Sequence, residues 1–459
     1  MFVAVAVSTW GSPAGSIQSA AVEEPFQPNI VLILTDDQRF DTLKWMPKVR
    51  KLLAGPGIKF DLGYVVDPLC CPSRASTLTG TYPHTHMVYS NLSYKEYGGF
   101  PAFEDEDTIA TRLQAAGYRT GLFGKYLNGY ESTYVPPGWD RWFATYNNGG
   151  FYNYDVTSDG QFVHFGDDPA DYGMTVIRHQ VVDFIRSTDD TTPLFAYVAP
   201  HAPHAPATAA PGDEELFDSL EPLRPENFDE ADVSDKPAYI AGLEPLKPGE
   251  EKAVDKFRED QLRSLQAVDA AVARIVEALR DTGRLHDTMV VFTSDNGMLW
   301  GEHRWRGKSV PYEEAIRVPL VVRFDAGELT TKADDAHLML NIDLAPTFAE
   351  LAGASIDLME GHSMLPLLAD ASAPWRSSFL VEVYKDRVQS APTLCAAHTR
   401  RWVFVEYETG ETELYDLRHD PLQLRNVSGK AAYAHRQELM VAKIHKLCSP
   451  PPPGLTLVE

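Results

Sequence analysis

The stretch IVLILTDD, at positions 30–37, is an apolar run that ends abruptly in two acidic residues. The same arrangement returns as LFAYVAPH at positions 194–201 and as MVVFTSDNG at positions 289–297. Continuous apolar runs of this length are typical of parallel strands that are buried on both faces. The polar residues that close the three runs would then lie together at one edge of a sheet, where ligands bind.

Helical patterns separate these predicted strands. Between positions 261 and 280, apolar residues recur at the spacing of one helix face, and Gly283 follows as the expected stop. Helices that alternate with strands predict an α/β fold with a mostly parallel sheet. Residues 208–251 are rich in proline and acidic side chains without a period, which predicts a long surface excursion. After about residue 373, antiparallel strands and a helix at 431–447 are predicted.

The length and charge of the chain limit its organisation and its partners. A chain of 459 residues predicts one large and one smaller domain. We divide the chain into a leader or signal-like segment, 1–28, a main domain, 29–372, a small α+β subdomain, 373–448, and a proline-rich tail, 449–459. The formal net charge of -24 argues against nucleic acid as a partner and against a long polyanion held over the surface.

The N-terminus and the cysteines bear on the cellular location. The first 21 residues combine a short apolar run with small residues that fit a cleavage site, which predicts a secreted or periplasmic protein. No positive charge precedes the run, so a disordered leader is the alternative. No stretch is long enough to span a membrane. Cys70 and Cys71 are adjacent, whereas Cys395 and Cys448 either form a disulfide or remain two thiols.

The motif CCPSRASTLTG, at positions 70–80, is the most specific feature of the sequence. It resembles the signature of the type I formylglycine-dependent sulfatases, in which C-x-P-S-R is followed by L-T-G. The resemblance implies that Cys70, and not Cys71, is oxidised to formylglycine. It also implies a partner during maturation, the formylglycine-generating enzyme, which would recognise Pro72 and Arg74. The alternative is a buried structural pair of cysteines.

The resemblance implies covalent catalysis by the hydrated aldehyde at position 70. One hydroxyl of the diol attacks sulfur and expels the alcohol. The other hydroxyl then loses its proton, and sulfate leaves by C–O cleavage. Pro72 suits the first turn of a helix. We expect the free N–H groups of that turn to face the nucleophile, where an anionic group must lie.

Two oxygen-rich pairs, Asp36-Asp37 and Asp295-Asn296, follow two of the predicted strands. Carboxylate and amide oxygens suit a hard divalent cation. The resemblance assigns all four residues as calcium ligands, with the formylglycine oxygen at position 70 completing the set. Magnesium is the alternative ion. The ion would polarise the sulfate and favour the ionised form of the diol.

The same resemblance implies roles for several lysine and histidine residues, each of which lies in a sulfatase-like motif. Lys125 would hold the sulfate, and Lys308 would contact both the sulfate and the leaving oxygen. In PHAPHAP, at positions 200–206, His204 is expected to be the general acid for the leaving alcohol, with His201 behind it. His303 either reaches the substrate or stabilises its own loop.

One segment departs from the common family pattern. Many sulfatases carry a second histidine two places after the lysine, whereas this chain has GKYLN at positions 124–128, with Leu127 in that place. Asn128 or another group must replace the histidine. Together with CCPSRAS and with YPHTH at positions 82–86, this segment resembles the N-acetylglucosamine-6-sulfatase branch. His84, His86 and Asn128 are therefore expected near the substrate.

The resemblance implies an alkaline-phosphatase-like α/β sandwich and a sulfuric ester hydrolase whose substrate is a sulfated small molecule or sugar. A 6-O-sulfated N-acetylglucosamine fits the branch, and the net charge favours exo action on a terminal sugar. Three alternatives remain: a broad arylsulfatase, a phosphate or phosphonate ester hydrolase of the same superfamily, and an inactive carbohydrate-binding relative. An inactive relative is disfavoured because the chain retains the full set of expected catalytic residues, Cys70, Arg74, Lys125, His204 and Lys308.

Overall fold

The computed structural model describes residues 1–4, 6, 27–94, 96–146, 149–327, 333–334, 336–385 and 390–457. Most of the predicted leader therefore lies outside the described residues. Within them, the strands are β1 (Asn29–Thr35), β2 (Ile58–Phe60), β3 (Gly63–Tyr64), β4 (Arg119–Lys125), β5 (Arg141–Thr145), β6 (Tyr154–Ser158), β7 (Gln161–Phe165), β8 (Leu194–Ala199), β9 (Thr288–Ser294), β10 (Leu299–Trp300), β11 (Arg306–Gly307), β12 (Leu320–Phe324), β13 (Ala333–Asp334), β14 (Met339–Leu340), β15 (Ser378–Val383), β16 (Leu394–Thr399), β17 (Trp402–Tyr407) and β18 (Thr412–Asp416).

The helices in the same residues are α1 (Pro47–Val49), α2 (Cys70–Thr79), α3 (Pro83–His86), α4 (Ile109–Ala115), α5 (Gly173–Ser187), α6 (Ala238–Ala241), α7 (Pro248–Asp281), α8 (Glu313–Ile316), α9 (Leu344–Leu351), α10 (Leu365–Ala369) and α11 (Ala434–Leu447). Helix α7 is longer than predicted, because it begins at Pro248, a residue whose fixed φ suits the first helical position. The surface excursion is correspondingly shorter. Gly283 adopts a left-handed conformation just past the end of α7, as expected.

One large sheet organises the molecule, with the strand order β13-β2-β12-β9-β1-β8-β4-β5-β6-β7. Its five central strands, from β9 to β5, run parallel. Strands β12, β6 and β7 are antiparallel to their neighbours toward the two edges. The predicted α/β class and the large, mostly parallel sheet are confirmed.

Helices cover both faces of this sheet. Because side chains alternate along a strand, Ile30 and Leu32 of β1 face one layer, and Val31 and Ile33 face the other. The first layer contains α2, α4 and α9, and the second contains α5 and α7. Both layers leave the carboxyl ends of the central strands at one edge, where the polar residues collect.

A second, four-stranded antiparallel sheet has the order β15-β16-β17-β18. It is the small C-terminal α+β unit that was predicted, and α11 packs against it. Cys395 on β16 and Cys448 at the end of α11 form a disulfide, which decides between the two alternatives for this pair. The opposite face of the sheet shares a core with Tyr64 and Leu340 of the main domain.

Among the described residues, no helix combines the length and the apolar character that crossing a membrane requires.

Candidate active site

The carboxyl ends of β1 and β9 bring the two oxygen-rich pairs together. The strands are parallel neighbours with Thr35 opposite Ser294, so the residues that follow them are adjacent. The backbone N–H of Asp295 donates to the carbonyl of Thr35 at 3.0 Å. The backbone N–H of Asp37 donates to a carboxylate oxygen of Asp295 at 3.1 Å. The strand register thus groups side chains that lie more than 250 positions apart in the sequence.

Cys70 is the first residue of α2 and points at this group of oxygens. Its Sγ atom lies 3.3 Å from Oδ1 of Asp36 and 4.0 Å from Oδ1 of Asp37. The thiol is fully buried, and burial, with Asp36 beside it, raises the pKa of Cys70 to about 12. An unmodified thiol at this position therefore stays protonated at neutral pH, which makes it a poor nucleophile.

The expectation that free N–H groups of this helix face an anion is not met at Cys71 or at Pro72. The backbone N–H of Cys71 donates to Oδ1 of Asn91 at 2.8 Å, and Pro72 has no N–H. The N–H of Ser73 donates to the carbonyl of Leu69 at 3.0 Å. The first turn is thus largely satisfied within the protein, and the positive charge of the site comes from side chains.

Three cations surround the carboxylates. Lys125, the last residue of β4, donates to Asp36 at 2.6 Å, and the Arg74 guanidinium donates to Asp295 at 2.7 Å. The Nζ atom of Lys308 contacts Asp37 and lies 2.6 Å from the Cys70 sulfur. Burial alone would lower the pKa of Lys125, but the neighbouring acidic groups, Asp36 first among them, together outweigh burial and raise that pKa.

The oxygen atoms at this edge fit a hard divalent cation. One ligand atom from each of Asp36, Asp37, Cys70 and Asp295 lies within 4.8 Å of the others. Oδ1 of Asn296 is buried and accepts no hydrogen bond from the described residues, which leaves an amide oxygen for an ion. Burial acts to raise the pKa of Asp36, yet Lys125, His204 and Arg74 hold that pKa well below its usual range. The Asp36 carboxylate is thus ionised, as an ion ligand must be.

Both histidines of the PHAPHAP segment, which follows β8, face the carboxylates. Nε2 of His204 lies 3.7 Å from Oδ2 of Asp37, and Nδ1 of His201 lies 3.7 Å from Oδ2 of Asp36. The carbonyl of Ala205 is 2.8 Å from Nδ1 of His204, which orients the imidazole with Nε2 toward the site. The His204 side chain is 22% exposed and that of His201 is 8% exposed. Burial lowers the pKa of His201 to about 3, so its ring is neutral.

The structure does not place the remaining predicted substrate-binding residues beside the carboxylates around Cys70. Nδ1 of His303 bonds Glu230 at 2.6 Å, and its ring lies 4.3 Å from that of Tyr312, which favours the loop-stabilising alternative. His86 bonds Ser76 at 2.9 Å and the N–H of Val88 at 3.1 Å, so both ring nitrogens are engaged. Ser76 is about 9 Å along α2 from Cys70, which places His86 away from the Cys70 side chain.

The other two candidates also have positions inside the protein. His84 bonds Glu382 of β15 at 2.9 Å and lies 3.5 Å from Glu360, so it links α3 to the C-terminal sheet. Asn128 is buried, and its backbone N–H faces the Cys71 sulfur. Asn128 therefore lies on the Cys71 side of α2 rather than among the carboxylates.

Two features of the site carried no functional signal in the sequence. Asn91 fits the Asn-x-Ser glycosylation pattern, yet its side chain holds the first turn of α2. The loop at residues 149–153 lies beside the histidines, with the Phe151 ring 5.2 Å from that of His201. Its glycines and aromatic residues resemble an ordinary turn, and only its position in the fold makes it part of the site.

The arrangement as a whole can hold a small anion beside a divalent cation. Asp36, Asp37 and Asp295 are matched by Arg74, Lys125 and Lys308, so an added divalent cation would leave this group of residues with a positive charge. An anionic ester at the Cys70 sulfur would lie within reach of Lys308 and the histidines.

Family models match most of the chain. Residues 28–354 match the model for Sulfatase, and residues 301–449 match the model for N-sulphoglucosamine sulphohydrolase, C-terminal. The extracellular sulfatase SULF-1 homolog of Drosophila melanogaster is 37% identical over 368 residues, which are 78% of this chain and 33% of that protein. This chain therefore spans about a third of that relative's length.

A human relative and a solved structure cover more of their own lengths. The N-acetylglucosamine-6-sulfatase of Homo sapiens is 34% identical over 372 residues, which are 78% of this chain and 67% of that protein. The solved structure of BT4656 in complex with its substrate D-glucosamine-2-N,6-O-disulfate superposes with a TM-score of 0.81. It is 23% identical and covers 93% of this chain and 99% of its own. That likeness establishes a shared fold.

Proposed function

The chain belongs to the sulfatase family, and on this premise we propose that it hydrolyses sulfate monoesters with residue 70 as the nucleophile. One observation carries the proposal: the Cys70 side chain is buried at the start of α2, against Asp36 on one side and Lys308 on the other. Converted to formylglycine by a formylglycine-generating enzyme, residue 70 would supply a hydroxyl nucleophile.

The cation proposed for this site is calcium, with magnesium as the alternative. Asp36, Asp37, Asp295 and Asn296 would hold it, together with residue 70. The open Oδ1 atom of Asn296 supports this assignment, since an amide oxygen is a ligand for hard cations. Bound there, the cation would polarise the sulfate as a Lewis acid.

Two lysines are proposed to bind the sulfate group, and Arg74 is proposed to hold the residues around them in place. Lys308 contacts both Asp37 and the Cys70 sulfur, so its ammonium is within reach of the sulfate oxygens and the leaving oxygen. Lys125 would hold a second sulfate oxygen. Arg74 donates to Asp295 and to the carbonyl of Lys125, and so it fixes an ion ligand and the end of β4. In many enzymes, charged groups that are already in position before the reaction make the largest contribution to stabilising the transition state.

His204 is proposed as the general acid that protonates the leaving alcohol. Its Nε2 atom faces Asp37, and its ring is more exposed than that of His201. A proton donor must lie within hydrogen-bond reach of the leaving oxygen, and His204 is the histidine that an incoming substrate meets first. His201, neutral and buried behind it, would support the position of His204.

The substrate class that fits best is a 6-O-sulfated sugar of the N-acetylglucosamine type. The similarity to the human N-acetylglucosamine-6-sulfatase supports this choice, and so does the fold shared with the glucosamine-disulfate complex. The net charge of -24 opposes a long sulfated polymer away from the pocket, which favours exo action on a terminal sugar.

We also propose the domain borders 29–372 and 373–448, and a secreted or periplasmic location.

The decisive experiment compares the group that is released. Purified enzyme, expressed with a formylglycine-generating enzyme, is offered N-acetylglucosamine-6-sulfate, its 3-sulfate isomer, nitrophenyl sulfate and the corresponding phosphate esters. We expect sulfate release, with the highest kcat/KM for the 6-sulfate. Efficient turnover of the aryl sulfate alone would indicate an arylsulfatase. Faster release of phosphate than of sulfate would support the phosphate or phosphonate ester hydrolase and refute the proposal.

A further inference from the structure

A cavity of about 430 Å³ opens beside the two site histidines. His201, His204, Ala205, Pro206 and Thr208 form one wall, and the loop at residues 149–153 forms the other. The volume lies in the range of small-molecule sites. Because His204 lines this cavity and also faces Asp37, the cavity lies on the side of the site where the leaving alcohol must be protonated.

Backbone hydrogen bonds tie the loop at residues 149–153 to the start of α5 and to the residue that follows β7. Gly149 adopts a left-handed backbone, and a Cβ atom there would come 2.8 Å from the Thr145 hydroxyl oxygen. The carbonyl of Phe151 accepts a hydrogen bond from Gly173 at 2.9 Å, and the N–H of Asn153 donates to Gly166 at 2.8 Å. The loop therefore has a defined position relative to the histidines, as a specificity element requires.

Tyr152 and Asn153 give the cavity wall the chemistry that a sugar ring needs. Tyr152 is half-buried, with its ring in edge contact with that of Tyr172 at 5.5 Å, so it presents a rigid aromatic surface. Asn153 is exposed and lines the same cavity, and its amide both donates and accepts hydrogen bonds. A pyranose ring has the matching features, an apolar C–H face and a rim of hydroxyls.

We propose that this cavity is the subsite for the sulfated sugar ring, with Tyr152 as its stacking surface and Asn153 as its hydrogen-bonding partner. The inference rests on the proposed function for the identity of the substrate, since the sulfate on this ring must reach Lys308 and residue 70. Discrimination between sugar and aryl substrates then lies in this loop and not in the sulfate-binding residues, which serve any ester.

The test uses Tyr152→Ala, Tyr152→Phe and Asn153→Gly in the full chain. Glycine replaces Asn153 because it tolerates the left-handed backbone found there. Tyr134→Ala is the matched control, since Tyr134 is an exposed tyrosine outside the cavity. Binding of N-acetylglucosamine, the sulfate-free alcohol, is followed by saturation-transfer NMR and needs no turnover. The kcat/KM for N-acetylglucosamine-6-sulfate and the inhibition constant of inorganic sulfate are measured in parallel.

We expect Tyr152→Ala to weaken sugar binding about tenfold and to lower kcat/KM about tenfold, the size of a lost aromatic contact. The inhibition constant of inorganic sulfate should stay within about twofold of the parent value. Tyr152→Phe and Tyr134→Ala should resemble the parent, and Asn153→Gly should raise KM more than it lowers kcat. Unchanged sugar binding in Tyr152→Ala, or equal loss of sugar and sulfate binding, would overturn the subsite. A protein that binds the sugar through Tyr152 yet releases no sulfate would refute only the proposed function.

Discussion

The Nζ atom of Lys308 lies 2.6 Å from the Sγ atom of Cys70 and also contacts the carboxylate of Asp37. One ammonium group thus contacts both the proposed nucleophile and a proposed ion ligand. Burial would lower the pKa of Lys308, but Asp37 and the other carboxylates raise it well above its ordinary value, so the charge is permanent. A permanent cation beside the reacting atom can stabilise the negative charge that develops on the leaving oxygen.

Replacing Lys308 by methionine should therefore lower kcat by about 10²- to 10³-fold, the usual cost of removing one charge-stabilising group. Steady-state kinetics on N-acetylglucosamine-6-sulfate checks this. Lys256→Met, which removes an exposed lysine from α7, is the control and should leave kcat unchanged. A Lys308→Met enzyme with kcat within about threefold of the parent would contradict this role.

The two adjacent cysteines should respond differently to substitution. Cys70→Ala should abolish sulfate release, because the nucleophile is lost. Cys71→Ala should retain activity, because the hydrogen bond from residue 71 to Asn91 uses the backbone N–H. Peptide mass spectrometry of the active parent should show residue 70 as formylglycine, without its sulfur. Full activity with an intact Cys70 thiol would refute the assignment.

Removing the proposed cation should lower both activity and stability. A cation bound only by the folded state, at 100 times its Kd, adds about 2.7 kcal/mol to the free energy of unfolding. We expect the Asp295→Asn protein to lose the bound metal, as measured by elemental analysis. It should also lose the stabilisation that the cation provides. Asp281→Asn, at an exposed residue, is the control. Adding calcium or magnesium back to the chelated enzyme identifies the ion by which one restores activity. Full activity after complete chelation would refute a role for a bound cation.

The His84–Glu382 contact should make stability depend on pH. Burial lowers the pKa of His84, but hydrogen bonds to Glu360 and Glu382 outweigh it and raise that pKa to about 10. The unfolded value is about 6.5. The stabilisation is therefore complete below about pH 6.5 and is lost as the pH rises through about 10.

Breaking this buried pair by His84→Gln should cost about 3 kcal/mol at pH 6. The difference from the parent should shrink at pH 8 and be nearly absent above pH 10, as followed by urea unfolding. His164→Gln removes a more exposed histidine that pairs with Asp155, and it should change stability little at any pH. A cost that does not vary with pH would show that His84 contributes by packing alone.

The α/β class and the sulfatase motif that begins at Cys70 are both local features of the sequence. Apolar runs such as that of β1 are local patterns, and a buried parallel strand requires them. The acidic pair Asp36-Asp37 follows its strand directly, so its place at the sheet edge follows from the direction of the chain. The motif around Cys70 is contiguous, and a contiguous motif needs no knowledge of the fold to be recognised.

Which of the remaining predicted residues lie beside Cys70 depends on the fold. His86 and His303 were predicted as substrate contacts, but Nε2 of His86 bonds Ser76 and Nδ1 of His303 bonds Glu230, partners that the fold supplies. The N–H of Cys71 is taken by Asn91, twenty positions away, which no helix pattern can foretell. The loop containing Tyr152 acquires a role because β5, β6 and β8 bring it beside His201. Hydrogen bonds and packing between distant segments depend on the three-dimensional path of the chain, and local sequence periodicity does not encode that path.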